Sequence, residues 1–123
     1  MQKQDFVATI FDGHGNPAKV TVAFTMALNA LQQGHNATVI LMVEAVELGR
    51  PNAADDMDIG APFRPVKDLW ADFLAAGGKI CVCGSCMQHN GFSAEQMDSR
   101  YEIINAPQVV ELLMKAQGSL QIT

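Results

Sequence analysis

Apolar positions along the chain fall into two alternating rhythms. Phe6 to Phe11, Ala37 to Val43 and Lys79 to Cys83 are short continuous runs rich in β-branched residues, which predict buried strands. Between them the spacing turns helical. Asn16 followed by Pro17 reads as an N-cap with proline at the first helical position, where its missing N–H costs nothing, and predicts a helix to about Gln33 with Gly34 as its cap. On that helix Val20, Ala23, Phe24, Met26, Ala27, Leu28, Ala30 and Leu31 fill more than half the circumference and leave a strip of Thr21, Thr25, Asn29 and Gln32. So wide an arc predicts burial on two sides.

Glu44 to Leu48 predicts a short helix. Gly49 to Arg64, rich in proline, glycine, acidic and amide residues, predicts one long loop of the kind that is usually functional or mobile. From Pro65 a second helix is expected, with Val66, Leu69, Trp70, Phe73 and Leu74 at the spacing of a single buried face and Gly77-Gly78 as its stop. Ser93 with Gln96 forms a capping-box pattern, and Tyr101 to Ile104 a fourth strand. Asn105 and Pro107 open a last helix, with Val110, Leu113 and Met114 expected inward and Glu111 paired with Lys115 outside; Gly118 ends it, and Ser119 to Ile122 is a final strand. This alternation predicts one domain over residues 1–123, of the α/β class, a three-layer α/β/α arrangement around a mainly parallel five-stranded sheet with right-handed crossovers. Sites in such sheets gather at the carboxyl ends of the strands. The His14 loop, the segment from Glu44 onward and the turn after Cys83 all leave from that edge.

Chemistry concentrates in Lys79 to Gly91, which holds all three cysteines. Gly84 is expected to break the strand, Ser85 to cap a short helix and Gly91 to end it. Cys83 then closes the strand, and Cys86 sits in the first helical turn, where free N–H groups and the helix dipole favour a thiolate. Alternation places Cys81 on the same face as Cys83 but deeper, as plain core. An odd, clustered set of cysteines is no disulfide framework; in a reducing compartment it points to thiol chemistry or metal. The 8 basic and 13 acidic residues give a net charge of −5, with the cations scattered, which argues against a nucleic-acid partner. No apolar stretch is long enough for a signal peptide or membrane span, and a cytoplasmic location is expected.

An isolated cysteine is most often a small buried hydrophobe. Cys-Gly-Ser-Cys at a strand end favours function instead. In a reactive-thiol reading Cys83 would be the working thiol, Cys86 assist it, His14 or His89 lower a thiol pKa, and the Gly84 and Ser85 N–H groups hold an anionic sulfur. Three other readings remain. Cys-x-x-Cys opening a helix is also the thioredoxin arrangement for dithiol exchange, although there it belongs to the first strand–helix unit and here most of the chain precedes it. Cys83, Cys86 and His89, with Cys81 or His14, have spacings compatible with zinc, but structural zinc sites usually join two separate ligand pairs, so no metal site is assigned. A non-catalytic assembly subunit with structural cysteines is the last. Met87 after Cys86 excludes covalent haem attachment. His35 reads as a surface residue at a helix end, Trp70 as packing, Asp55, Asp56 and Asp58 as a solvated patch without a calcium-loop pattern, and Gly13-His14-Gly15 as too short for a dinucleotide fingerprint.

The order of these parts resembles the DsrE/DsrF-like family, which includes sulfur-relay subunits of tRNA thiolation and of dissimilatory sulfur oxidation. The matching segments are Gly-His-Gly-Asn-Pro-Ala-Lys after the first strand, Ala-Leu-Gln-Gln-Gly-His-Asn-Ala-Thr-Val into the second, Phe-Leu-Ala-Ala-Gly-Gly-Lys-Ile-Cys-Val-Cys-Gly-Ser-Cys, and Val-Val-Glu-Leu-Leu near the end. The cysteine segment is the most specific of them. The resemblance implies a three-layer domain that assembles into a homotrimer or homohexamer, with a strand-end cysteine carrying persulfide. Spacing back from Gly91 puts that carrier on Cys83. It further implies sulfur donor and acceptor proteins or small thiols as partners, and no dissociable organic cofactor. Relay subunits often have arginines just before the glycine matching Gly91, where this chain has His89-Asn90.

Overall fold

The computed structural model describes residues 5–123. Strands β1 (Phe6–Ile10), β2 (Ala37–Leu41), β3 (Lys79–Cys83), β4 (Glu102–Ile104) and β5 (Gly118–Ile122) form a five-stranded sheet in the order β4-β3-β2-β1-β5, and every pairing is parallel. Helices α1 (Pro17–Gln32), α2 (Val66–Ala75), α3 (Gly84–His89) and α4 (Ala106–Lys115) alternate with them. The expected parallel sheet flanked by helices is therefore present. No helix among the described residues is long and apolar enough to cross a membrane.

Register decides which residues share a face. Ala8, Ile10, Val39, Leu41, Ile80 and Val82 point to one side, where α1 and α2 cover them. An aromatic group fills the centre of that layer: Phe24 stacks on Trp70 with ring centroids 4.3 Å apart and meets Phe73 edge-on at 5.6 Å. Val7, Ile40, Cys81 and Ile104 point the other way and pack with Val109 of α4. Asn16 accepts a bond from the Lys19 N–H, and Pro17 stands at the start of α1, as its sequence predicts. Ser93–Gln96 and Asn105–Gln108 each form a capping box.

Several expectations are corrected. α1 is buried mainly along one arc, Val20, Thr21, Ala23, Phe24, Ala27 and Leu28, while Met26 is 47% exposed. Thr21 tolerates burial because its hydroxyl donates to the Pro17 carbonyl at 2.7 Å. In α4, Val110 and Met114 face solvent, at 57% and 80% exposure, and the helix rests on Val109, Leu112, Leu113 and Ala116. Two adjacent apolar stripes share Leu113, and contact with the sheet selects the one that starts at Val109. β2 ends at Leu41, two residues before Val43, and a 3-10 helix runs over Val43–Gly49. The segment 50–65 is anchored: Ala54 and Met57 are buried, the Val66 N–H donates to the Met57 carbonyl at 2.9 Å, and Arg64 pairs with Asp72 at 2.6 Å.

Candidate functional site

β3 passes into α3 without an intervening loop. Cys83 takes the N-cap position and Gly84 is the first helical residue, so Ser85 is not the cap. The reason is packing: a Cβ on Gly84 would lie 3.2 Å from Ile103 Cγ2 and 3.3 Å from Asn105 Oδ1, and glycine lets the turn start at once against β4. Cys83 is left only 6% exposed at the strand end. Cys86, one turn on, is half-buried, and its thiol is near enough to that of Cys83 for this neighbour to influence its titration. Cys81 is fully buried on the α4 side of the sheet, where burial pushes its thiol up to about 11.

Beside Cys86 lies an open groove of about 500 Å³ lined by Val43, Glu44, Ser85, Cys86, His89 and Asn90. The structure thus brings Ser85, Cys86 and His89 together with the strand-end Cys83. Gly84 is buried beneath them and His14 is elsewhere. Burial raises the Cys86 thiol above its ordinary value; the Val43 N–H opposes that rise, and the neighbouring Cys83 adds to it. The thiolate expected from the helix start is therefore outweighed by desolvation in a helix of only six residues.

His14 belongs to a separate polar cluster. Its backbone N–H donates to Glu47 Oε2 at 2.9 Å, its ring Nδ1 meets Glu47 Oε1 at 2.8 Å, and its Nε2 meets Asp56 Oδ1 at 3.3 Å. Hydrogen bonding to Glu47 raises its pKa, against an opposing effect of burial. Among the described residues no group of three or more His, Cys, Asp or Glu side chains is placed to hold a metal ion.

Sequence reasoning missed Val43, Glu47 and Asn90. Val43 reads as the end of an apolar strand, yet its φ is +52°, in the left-handed region. Asn90 Nδ2 donates to the Val43 carbonyl at 3.2 Å and to the Cys86 carbonyl at 2.8 Å, tying the start of the 3-10 helix to α3. A pairing between residues 47 positions apart leaves no local signal. A second cavity, of about 220 Å³, opens over Trp70 and Tyr101 with Arg50, Lys67 and Arg100 around it.

Comparison with known proteins adds to this geometry. A family model described as the DsrE/DsrF-like family matches residues 6–121. An uncharacterized protein of Methanocaldococcus jannaschii is 31% identical over 103 residues, which cover 84% of this chain and 37% of that protein. The chain thus spans well under half the length of this relative. Among solved structures, the YchN protein of E. coli superposes with a TM-score of 0.74 at 16% identity, over 96% of this chain and 98% of that one. A protein of unknown function from Methanobacterium thermoautotrophicum gives 0.69 at 10% identity, over 98% and 99%. Another, from Bacteroides thetaiotaomicron, gives 0.65 at 18%, over 95% and 94%. At such identities the three structures establish the fold alone.

Proposed function

Because the chain belongs to the DsrE/DsrF-like family, we propose that it is a sulfur-relay protein whose Cys83–Cys86 pair takes up sulfane sulfur as a persulfide and hands it to a partner. The observation that carries this reading is the placement of the two thiols. They are neighbours one turn apart, yet Cys86 lines an open groove while Cys83 is sheltered at the strand end. Such a pair divides the work: an accessible thiol exchanges with the outside, and a protected one stores the sulfur away from water and stray thiols.

The steps balance without an external oxidant. The Cys86 thiolate attacks the outer sulfur of a donor persulfide; a new S–S bond forms on Cys86, the donor's S–S bond breaks, and the donor leaves as a thiolate that takes up a proton. Cys83, deprotonated in turn, attacks the outer sulfur on Cys86, which returns to the thiol form. Delivery to an acceptor runs the same exchanges in reverse. His89 and the Ser85 hydroxyl supply polar contacts along the groove, whereas His14, held by two carboxylates, stands outside this chemistry. The reading carries with it a single domain over residues 1–123, a cytoplasmic location, donor and acceptor proteins or small thiols as partners, and a homotrimer or homohexamer.

The proximity of the two thiols, at the strand end and in the first helical turn, also favours a second reading. If Cys83 attacks the inner sulfur of the Cys86 persulfide, a Cys83–Cys86 disulfide forms and hydrosulfide leaves, which is dithiol exchange. Intact-mass spectrometry after incubation with a small-molecule persulfide, followed by peptide mapping, separates the two. A reducible gain of one sulfur on the peptide holding Cys83 supports the relay. Loss of two hydrogens without added sulfur supports dithiol exchange, and an unchanged mass overturns both.

A further inference from the structure

Val43 is one of two non-glycine residues among those described that have positive φ, and it is the β-branched one. A left-handed conformation brings its Cβ against the backbone, so valine persists there only where its surroundings impose it. Glycine or asparagine would make the same turn with less strain. What imposes the conformation is visible in the groove. The two hydrogens of Asn90 Nδ2 go to two carbonyls, that of Val43 at 3.2 Å and that of Cys86 at 2.8 Å. Both partners are acceptors, so only one orientation of the amide satisfies them. This bridge keeps Val43, in its left-handed conformation, against the first turn of α3, where its N–H is near enough to Cys86 to favour the thiolate.

We propose that the Val43 backbone N–H is the donor that holds anionic sulfur on Cys86, and that Asn90 is the positioning residue that keeps this donor aimed. Its value for persulfide rests on the sulfur-relay reading; its action on the bare thiolate does not. A fixed amide directed at a developing anion needs no reorganisation when the charge appears. Burial of Cys86 disfavours that charge, which makes the donor the main local counterweight. A persulfide is a stronger acid than its parent thiol, so the loaded group presents an anion to the same N–H. The left-handed turn at Val43 thereby has a use at the one thiol that faces the groove.

The test is the pH profile of Cys86 alkylation, followed by mass spectrometry of its peptide, with the thermal midpoint of each variant measured alongside. Asn90→Ala removes the bridge, and Asn90→Leu removes it while keeping bulk. In both, the alkylation midpoint is expected to rise by about half a pH unit or more. Val43→Gly retains the N–H and adopts the same φ freely, and is expected to keep the wild-type profile. A structural role for Asn90 alone would lower the thermal midpoint and leave the profile unmoved. An unchanged profile in both Asn90 variants overturns the proposal, and so does a Val43→Gly profile displaced as far as theirs. A displaced profile in a protein that takes up no sulfur upholds the positioning role and overturns the relay reading instead.

Discussion

Glu47 grips His14 with both oxygens of its carboxylate, taking the backbone N–H at 2.9 Å and the ring Nδ1 at 2.8 Å. Asp56 meets the other ring nitrogen at 3.3 Å, and Arg50 lies 3.6 Å from Glu47. Hydrogen bonding to Glu47 holds the His14 pKa above 6.5. Burial works to raise the Glu47 pKa, but the bonds from His14 overcome it and hold the value below 4.5. The His14 contribution to stability is full below its unfolded pKa and is lost as pH rises through the raised folded one; that of Glu47 is present above 4.5 and is lost as pH falls. The pair therefore stabilises most between those limits. With side chains 36% and 27% exposed, solvent screening holds it to about 1 kcal/mol or less. Thermal midpoints compared at about pH 6 and about pH 8 should fall less with pH in Glu47→Gln than in wild type. Equal slopes would show that the clamp contributes nothing.

Gly13 is what admits that clamp. A Cβ there would run into the Glu47 carboxylate, so Gly13→Ala must displace the side chain and break both of its bonds to His14. A loss of about 1 kcal/mol or less is expected, the value of the pair itself. NMR titration of His14 should show its pKa returning toward 6.5. A His14 titration identical to wild type would show that Glu47 adapts without releasing it.

In the same core layer, Trp70 Nε1 donates to the Tyr101 hydroxyl at 2.7 Å, and both side chains are over nine-tenths buried. Tyr101→Phe leaves the indole N–H without its acceptor and should cost about 1–3 kcal/mol in denaturant unfolding. In a double-mutant cycle, adding Trp70→Phe removes the orphaned donor, so the pair should cost less than the sum of the single changes. Strict additivity would mean that the bond has no net value.

The strands were legible because continuous apolar runs such as Ala37 to Leu41 and Lys79 to Cys83 have few other uses in a chain of this pattern. Caps were legible where the capping side chain and its target are neighbours, as with Asn16 and Lys19 or Ser93 and Gln96. Reading failed where tertiary contact chooses between equal local options. Val109 and Val110 are adjacent and equally apolar, and only contact with Ile104 and its neighbours on the sheet puts one in and one out. The cysteines themselves were evident from their cluster, whereas the surroundings of Cys86 were not. Val43 and Asn90 meet across 47 positions, and nothing in a run of β-branched residues marks the one that turns left-handed. His14 was placed at the correct sheet edge, but its partners Glu47 and Asp56 come from other segments and draw it out of the cysteine groove.

Cys81 should behave as core. It is fully buried among Val7, Ile40, Ile104 and Val109, and its thiol is pushed up to about 11. Alkylating reagents at neutral pH should leave it unmodified until denaturant is added. Cys81→Ser places a hydroxyl in that apolar setting and should cost about 1–3 kcal/mol, while sulfur loading of the folded protein is retained. Loss of loading without loss of stability would move Cys81 into the chemistry.

The two remaining cysteines should differ in the manner of their failure. Cys86 faces the groove and Cys83 is 6% exposed, so a donor reaches Cys86 first. Cys86→Ser removes the point of entry, and loading of Cys83 should slow by about tenfold or more, since a buried thiol must wait for local opening. Cys83→Ser leaves the entry open and removes the store. Sulfur should then arrive on Cys86 but remain exposed to thiols in solution, and it should disappear rapidly when a low-molecular-weight thiol is added, whereas the wild-type load persists. The raised pKa of Cys86 sets the pH dependence of entry: uptake should accelerate with pH through and beyond the ordinary thiol range, since only the thiolate attacks. Time-resolved mass spectrometry of the three proteins at two pH values distinguishes these behaviours. If Cys83→Ser retains its sulfur as long as wild type, storage belongs to Cys86 and the division of labour between the two thiols is wrong.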